Sequence, residues 1–140
     1  MPRLKAGTVQ RSEVVNVRMK PKLRFGLELI ARANSAKTTE AVEIAIQQAL
    51  ASIQVLTATR DGTTLKALED IVELTWAKDE VGRFLNLAIN CPLLLLEKEQ
   101  DLLHTILADP RLSVEDNTTI DLMSARISEA RLREHWDELS

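Results

Sequence analysis

A short alternating segment near the N-terminus, VVNVRMK at positions 14–20, most constrains what this chain can fold into. Successive side chains of a strand point to opposite faces, so one face of this segment is apolar and the other can donate hydrogen bonds. No second run of comparable β character follows downstream. Because a strand of about seven residues is not stable alone, the sequence predicts that it pairs with the same strand of a second copy.

Two helical patterns follow this segment directly. Pro21 suits the first position of a helix, because its φ is fixed and its missing N–H would have no partner there. A second helix is predicted to open near Lys37-Thr38-Thr39-Glu40, where hydroxyl side chains can cap the first turn, and its apolar stripe continues to Ile53 and Leu56. In the turn between the two helices, Asn34 can take the left-handed conformation.

This order of strand, proline, helix, turn and helix resembles the ribbon-helix-helix family of DNA-binding proteins. In that family two chains interlock, and their strands form an antiparallel ribbon that enters the major groove. The resemblance implies a mainly α fold, with a ribbon-helix-helix domain at residues 13–57 and an α-helical C-terminal domain. It also implies a dimer core made of Val15, Val17, Met19, Leu23, Leu27, Ile30, Val42 and Ile46.

The resemblance also assigns the residues that contact DNA. Val14, Asn16 and Arg18 match the outward strand positions by which family members read bases. Arg18 can bond the O6 and N7 atoms of guanine, Asn16 the N6 and N7 atoms of adenine, and Val14 can contact a thymine methyl group. The residues expected at phosphates are Lys20 at the end of the strand and Lys37, Thr38 and Thr39 at the start of the second helix.

The distribution of charge supports a polyanionic partner. Residues 1–37 contain nine basic and two acidic side chains, a formal charge of +7, whereas the chain as a whole carries −3, so the other 103 residues carry −10. Such asymmetry is expected when one segment meets a polyanion and the rest does not. Residues 1–12 are predicted to form a flexible basic arm that can reach phosphates or a minor groove.

The rest of the chain is predicted to form a separate helical domain. Asp61-Gly62 is a turn signal, and helical patterns are predicted to begin at Thr63, Asp79, Pro92 and Ser113, which gives a domain over residues 63–140. Its apolar stripes predict that it raises the assembly above a dimer, to a tetramer or larger, or binds a protein partner.

Other function classes find little support. His104 and His135 stand 31 residues apart without metal-ligand spacing near either, and no glycine-rich phosphate loop occurs, so neither an enzyme nor a metal or cofactor site is predicted. The longest apolar run, at positions 92–96, is too short to cross a membrane, and the N-terminus lacks the apolar core of a signal peptide. The single Cys91 is consistent with a reducing compartment, so a cytoplasmic location is predicted.

The resemblance leaves several biological roles open. Family members are mostly bacterial, phage or plasmid regulators that repress transcription, often of their own operon, and this is the role predicted here. A relaxosome accessory or plasmid-maintenance protein is an alternative, because helical oligomerisation suits cooperative binding to repeated sites. An antitoxin is another alternative, and so is a helical interaction protein that binds no DNA.

Overall fold

The computed structural model of the protein describes residues 12–59 and 61–140. This part of the chain contains six α-helices, four short strands and two 3-10 turns. The chain divides into two compact units, Met1–Ala45 and Ile46–Ser140, so the division falls inside the second helix. The elements are α1 (Pro21–Ala33), α2 (Thr38–Ser52), β1 (Gln54–Thr59), β2 (Gly62–Ala67), α3 (Leu68–Thr75), α4 (Glu80–Asn90), α5 (Glu97–Ala108), β3 (Thr119–Leu122), β4 (Ala125–Ser128) and α6 (Glu129–Leu139), with the 3-10 turns at Pro92–Leu94 and Pro110–Leu112.

The N-terminal unit consists of α1 and the first part of α2 and has a very small core. α1 begins at Pro21 and α2 at Thr38, as the sequence predicts. The buried hydrophobic residues of this core are Leu27, Ala31 and Ala41, and Ile30 and Val42 are partly buried against them. Three small or medium side chains remove little apolar surface from water, so this unit gains little stability from its own core.

The turn between α1 and α2 is a Schellman motif. The N–H of Ala36 donates to the carbonyl of Ala31 at 2.9 Å, and the N–H of Ser35 donates to the carbonyl of Arg32 at 3.2 Å. Ser35 takes the left-handed conformation, with φ of 50°. The prediction that Asn34 would do so is wrong, because Asn34 has φ of −100° and donates through its side chain to α1 instead.

β1 and β2 form an antiparallel hairpin in the C-terminal unit. Leu56 of β1 is the register partner of Leu65, and Thr57 is the partner of Thr64. Thr57 is buried, and its hydroxyl donates to the carbonyl of Thr64 at 3.2 Å. α3 follows β2 without a loop and contacts both β2 and α4. The buried face of the hairpin is therefore the face that carries Thr57.

The main core lies in the C-terminal unit. On α4 the apolar positions Val81, Phe84, Leu85 and Ala88 recur at helical spacing and are all buried. The Phe84 ring packs against Trp136 of α6, with centroids 5.4 Å apart and the planes tilted by 54°. Each fully buried aliphatic side chain contributes roughly 1.5–3 kcal/mol. The other buried members of this core are Leu95, Leu103, Ile106, Leu112, Leu122, Ile127 and Leu132.

A polar network joins the second hairpin, β3–β4, to α6. Ser128 is fully buried, and its hydroxyl donates to the Asp116 carboxylate and accepts from the N–H of Arg131 at 3.3 Å. The Thr118 hydroxyl donates to Asp116 at 2.7 Å and accepts from the N–H of Ala130 at 2.9 Å. The backbone N–H groups of Ala130 and Arg131, which lack acceptors within the first turn of α6, thereby gain side-chain acceptors. The hydrogen bonds from Ser128 and then Thr118 hold the pKa of Asp116 below its usual range.

The predicted ribbon-helix-helix fold is wrong. Residues 12–20 form neither a helix nor a strand, and every strand in the described part of the chain begins at Gln54 or later. A strand needs a partner for its backbone groups, and no described residue pairs with residues 13–20, whereas β1 and β2 satisfy each other locally. The C-terminal part is consequently not purely helical, because it holds two separate two-stranded sheets.

Two predicted helices in this region are also corrected. α2 ends at Ser52, so the Ile53 and Leu56 stripe does not extend it, and the helix predicted from Thr63 begins only at Leu68. The residues between α2 and α3 are rich in threonine and form the β1–β2 hairpin. β-Branched side chains pack better on such a hairpin than on a helix.

The helix predicted from Ser113 is replaced by β3 and β4. Their register pairs Ile120 with Ile127 and Leu122 with Ala125. The connecting residues, Met123 and Ser124, both have positive φ, 50° and 69°. Two consecutive positive values are what a two-residue hairpin turn of type I′ requires.

Candidate nucleic-acid interface

Four basic side chains surround the start of α1 and are named here the basic surface: Arg18, Lys20, Lys22 and Arg24. All four are exposed. Lys20 occupies the N-cap position without a side-chain capping bond, and the first turn of α1 contains no acidic residue. Cations are destabilising at the positive end of a helix dipole, so helix stability does not explain this arrangement. A bound anion would offset the unfavourable charge.

The charges of the basic surface are not neutralised within the described part of the chain. No carboxylate of residues 12–59 or 61–140 lies within ion-pair distance of any of its four members. The four cations are therefore available to an external polyanion, whose counterions they would displace.

The described arginines of the C-terminal unit are in the opposite situation. Arg133 pairs with Asp79 and Glu129, and the hydrogen bond from Arg133 holds the pKa of Asp79 below its usual range. Arg111 pairs with Asp109 at 2.7 Å and likewise lowers the pKa of that carboxyl. The others are also engaged: Arg126 with Glu115, Arg131 with Glu134, and Arg83 with the carbonyls of Ala77 and Lys78 and the ring of Trp76.

The predicted base-reading residues lie in the stretch that precedes α1. Val14, Asn16 and Arg18 are all exposed, and Val14 is 86% exposed. No described residue forms a hydrogen bond with the side chain of Asn16 or Arg18, so their donors are free to meet base edges. Because residues 12–20 form no strand, the backbone does not hold these three side chains on one common face.

The residues predicted to form a dimer core divide into two groups. Leu27 is buried, and Ile30 and Val42 are half-buried, within the small core of the N-terminal unit. The others remain exposed, from 44% for Met19 to 78% for Val15, and this exposed group is Val15, Val17, Met19, Leu23 and Ile46. Four of them, in residues 15–23, interleave with the basic surface along the sequence.

The predicted phosphate contacts at the start of α2 meet an acidic neighbour. The side chain of Glu40 accepts a hydrogen bond from the N–H of Lys37 at 3.0 Å, which is one half of a capping box. Thr38 and Thr39 are exposed in the first turn. The Glu40 carboxylate already complements the helix dipole there, so this end of α2 attracts a phosphate less strongly than the start of α1.

Lys22 and Arg24 are the members of the basic surface to which the family resemblance gives no contact with DNA. Their signal is present in the sequence, because basic residues occupy every second position from 18 to 24. The family resemblance assigns DNA contacts only to the predicted strand and to the start of the second helix. The start of the first helix receives no role from it.

The C-terminal unit contains a small cavity of about 100 Å³ between the β1–β2 hairpin, α3 and the end of α4. Its hydroxyl groups are engaged in their own elements, since Thr75 donates to the carbonyl of Ile71 at 2.7 Å and Thr57 to that of Thr64. Burial raises the pKa of the Cys91 thiol at its wall, which disfavours the nucleophilic thiolate. The cavity offers no arrangement of nucleophile and base.

Comparisons with protein-family models, with curated proteins and with solved structures find no match to this chain. None of the helices described is both long enough and apolar enough to cross a membrane. Across residues 12–59 and 61–140, no group of three or more His, Cys, Asp or Glu side chains is placed to hold a metal ion. The absence of enzymatic activity and of cofactors stays a prediction of the sequence.

Proposed function

We propose that this protein is a homodimeric, sequence-specific DNA-binding protein of the cytoplasm, and that the basic surface contacts duplex DNA, with Lys20, Lys22 and Arg24 at phosphates and Arg18 at base edges. One observation carries the proposal: the cations at the start of α1 have no internal partner, whereas every described arginine of the C-terminal unit is engaged. Unpaired cations at an uncapped helix N-terminus fit a phosphate backbone in both charge and hydrogen bonding.

A second copy of the chain is the partner that completes the N-terminal unit. This unit buries only Leu27, Ala31 and Ala41, which is too small a core for an independent domain. Exposed apolar side chains at positions 15, 17, 19 and 23 lie among the cations in sequence. Covering them with the same residues of a second copy buries apolar surface and doubles the basic surface. The dimer contact rests on these side chains and not on a β-ribbon.

Specificity for a DNA sequence would come from Asn16 and Arg18. Both side chains are exposed and free of hydrogen bonds to described residues, and each matches the bidentate donor and acceptor pattern of one purine. Val14 adds an apolar contact suited to the methyl group of thymine. Two-fold symmetry repeats this set, so the preferred site is a short inverted repeat.

The role we propose is transcriptional repression, including repression of the protein's own operon. A relaxosome accessory or plasmid-maintenance role would use the same surface and would differ in the location of the binding sites. Sequencing of genomic fragments retained by the protein distinguishes the two roles, because promoters are expected for a repressor and a transfer or replication origin for the alternative.

Selection from a random duplex library, followed by affinity measurements on variants, tests the proposal. The selected sites are expected to share an inverted repeat. Arg18→Ala should weaken binding by roughly 1–3 kcal/mol per contacted base and relax the base preference there. Lys37→Ala should weaken binding to all sequences similarly.

Arg126→Ala is the matched control, because it removes an exposed arginine of the C-terminal unit that already pairs with Glu115. This variant should bind the selected DNA as tightly as the unmodified chain. The proposal fails if no sequence is enriched, or if Asn16→Ala and Arg18→Ala both keep the affinity and preference of the unmodified chain.

A further inference from the structure

The outer edge of β2 carries backbone groups without partners. The N–H of Leu68 donates to the carbonyl of Ile53 at 2.9 Å, and the register then makes Val55 with Lys66 and Thr57 with Thr64 the hydrogen-bonded pairs of the hairpin. Bonded and non-bonded pairs alternate in an antiparallel ladder. The N–H and C=O groups of Thr63 and Leu65 therefore point away from β1, and they meet no partner among the described residues.

The face of the hairpin above this edge is apolar and uncovered. Leu56 and Leu65 are register partners, so their side chains lie side by side on the same face. They are 50% and 58% exposed, while Thr57 on the opposite face is buried. A two-stranded hairpin is marginally stable by itself, and further strands with a common apolar face stabilise it.

The charge of the C-terminal unit limits where a second copy can bind. Residues 46–140 contain 17 acidic and nine basic side chains, a formal charge of −8, so two copies repel each other over most of their surface. The strands β1 and β2 are the exception, because Lys66 is their only charged residue. Proteins usually protect an exposed edge strand with charges or proline, and on these two strands Lys66 is the only such residue, with its side chain on the face opposite Leu65.

β2 is the accessible edge of the two. The 3-10 turn Pro92–Leu94 contacts β1, whereas the residues of β2 from Gly62 to Leu65 are all exposed. The sequence of β2 also permits pairing with itself. In an antiparallel arrangement centred on Leu65, this residue exchanges both backbone hydrogen bonds with its own counterpart, and Thr63 comes opposite Ala67.

We propose that β2 pairs antiparallel with β2 of a second copy, about a two-fold axis at Leu65. The two hairpins then form one four-stranded sheet, with a row of four leucines, from positions 56 and 65 of each chain, across one face. This interface lies within the C-terminal unit and does not depend on the proposed DNA contact. Together with a dimer of the N-terminal unit, it would link dimers into tetramers or longer arrays.

Disulfide trapping in the full chain tests the geometry directly. Residues in a hydrogen-bonded antiparallel pair have Cα atoms about 5.5 Å apart, within the range that a disulfide spans. Leu65→Cys, in a chain that also carries Cys91→Ala, should form a disulfide-linked dimer under mild oxidation. Leu93→Cys in the same background is the matched control, since Leu93 is 67% exposed but lies outside the hairpin, and it should couple at least ten times more slowly.

The mass of the full chain in sedimentation equilibrium provides a second readout. Leu65→Lys places two like charges at the two-fold axis and should halve the mass of the assembly, whether that assembly is a dimer or a tetramer. Leu93→Lys makes the same chemical change elsewhere and should leave the mass unaltered. Coupling of Leu65→Cys no faster than Leu93→Cys, faster coupling through Leu56→Cys, or an unaltered mass for Leu65→Lys overturns the proposal. Since no DNA is present in either experiment, its failure leaves the DNA-binding proposal untouched.

Discussion

Ser35 is one of three described residues other than glycine that have a positive φ. It holds the left-handed position of the Schellman motif after α1, with φ of 50°. This conformation costs a residue with a Cβ roughly 1–2 kcal/mol, a cost that glycine avoids. The N-terminal unit has few buried residues to stabilise it, so removing this backbone strain should change its stability measurably.

Ser35→Gly is expected to raise the free energy of unfolding by about 1 kcal/mol, because the left-handed strain it removes exceeds the added freedom of the unfolded chain. Urea denaturation of the full chain measures the change. Ala49→Gly, at an exposed position inside α2, is the control and should lower stability by about 1 kcal/mol. If Ser35→Gly lowers stability as the control does, the turn is not the one described.

At the scale of elements, the Asp116 network makes the joint between β3–β4 and α6 sensitive to acid. The folded pKa of Asp116 is depressed, so its stabilising effect is present above the pKa of the unfolded chain and is lost as the pH falls through the folded value. Stability of the C-terminal unit should therefore fall below about pH 4, near the ordinary carboxyl pKa. The lowered pKa values of Asp79 and Asp109 act in the same direction.

Asp116→Asn separates this network from the other carboxylates. The variant should be less stable than the unmodified chain at pH 7 and should lose less stability between pH 7 and pH 3. Asp137→Asn, at an exposed position on α6, should follow the unmodified chain at both pH values. If the Asp116→Asn variant and the unmodified chain lose the same stability on acidification, the Asp116 network does not cause the effect.

The starts of α1, α2 and α4 were predictable from sequence, because their signals are local, whereas the helix predicted from Pro92 begins only at Glu97. Pro21 marks the start of α1, and the spacing of Val81, Phe84, Leu85 and Ala88 marks α4 with its buried face. Leu103 and Ile106 on α5 are buried as their stripe predicts. These patterns involve residues within two or three turns of one another, so no distant part of the chain is needed to read them.

The hairpins were missed for physical reasons. Ile120, Met123 and Ile127 are spaced three and four residues apart, which fits a helix as well as a strand, and the turn at Met123-Ser124 lacks the usual Asn-Gly signal. Strand pairing depends on contacts between residues that lie in different segments of the chain, and the periodicity within one segment does not reveal these contacts. The same limitation explains the opposite error at residues 13–20, where a strand pattern occurs without a partner among the described residues.

At the scale of the whole molecule, the charge is distributed unevenly, because residues 1–37 carry a formal charge of +7 and the other residues −10. The types of residue at the N-terminus and their charge were evident from sequence, and so was the prediction that they contact DNA. What the sequence could not show is which cations are neutralised, because Arg111 and Arg133 find their carboxylates only through folding. The contrast between the paired arginines of the C-terminal unit and the unpaired cations at the start of α1 is therefore a structural observation.

Assembly also belongs to this scale. The N-terminal unit exposes apolar residues among its cations, and the C-terminal unit exposes the edge of β2. Two different two-fold interfaces on one chain either close into a tetramer or continue as an array. Under the proposed function, either assembly would bring several copies of the basic surface together, and the avidity of linked sites would increase without new contacts to DNA.

The salt dependence of duplex DNA binding by the full chain tests the central claim most directly. In a dimer Lys20, Lys22 and Arg24 offer about six cations to phosphates, so the logarithm of the association constant should fall with the logarithm of salt concentration with a slope of up to about −5. Lys20→Ala/Lys22→Ala should make this slope shallower by about two thirds, since roughly four of these phosphate contacts are lost. The control pair Arg126→Ala/Arg131→Ala, which removes two arginines already paired with carboxylates, should leave the slope unchanged. Absence of binding at 50 mM salt, or equal slopes for the two double variants, would contradict the assignment of the basic surface to DNA.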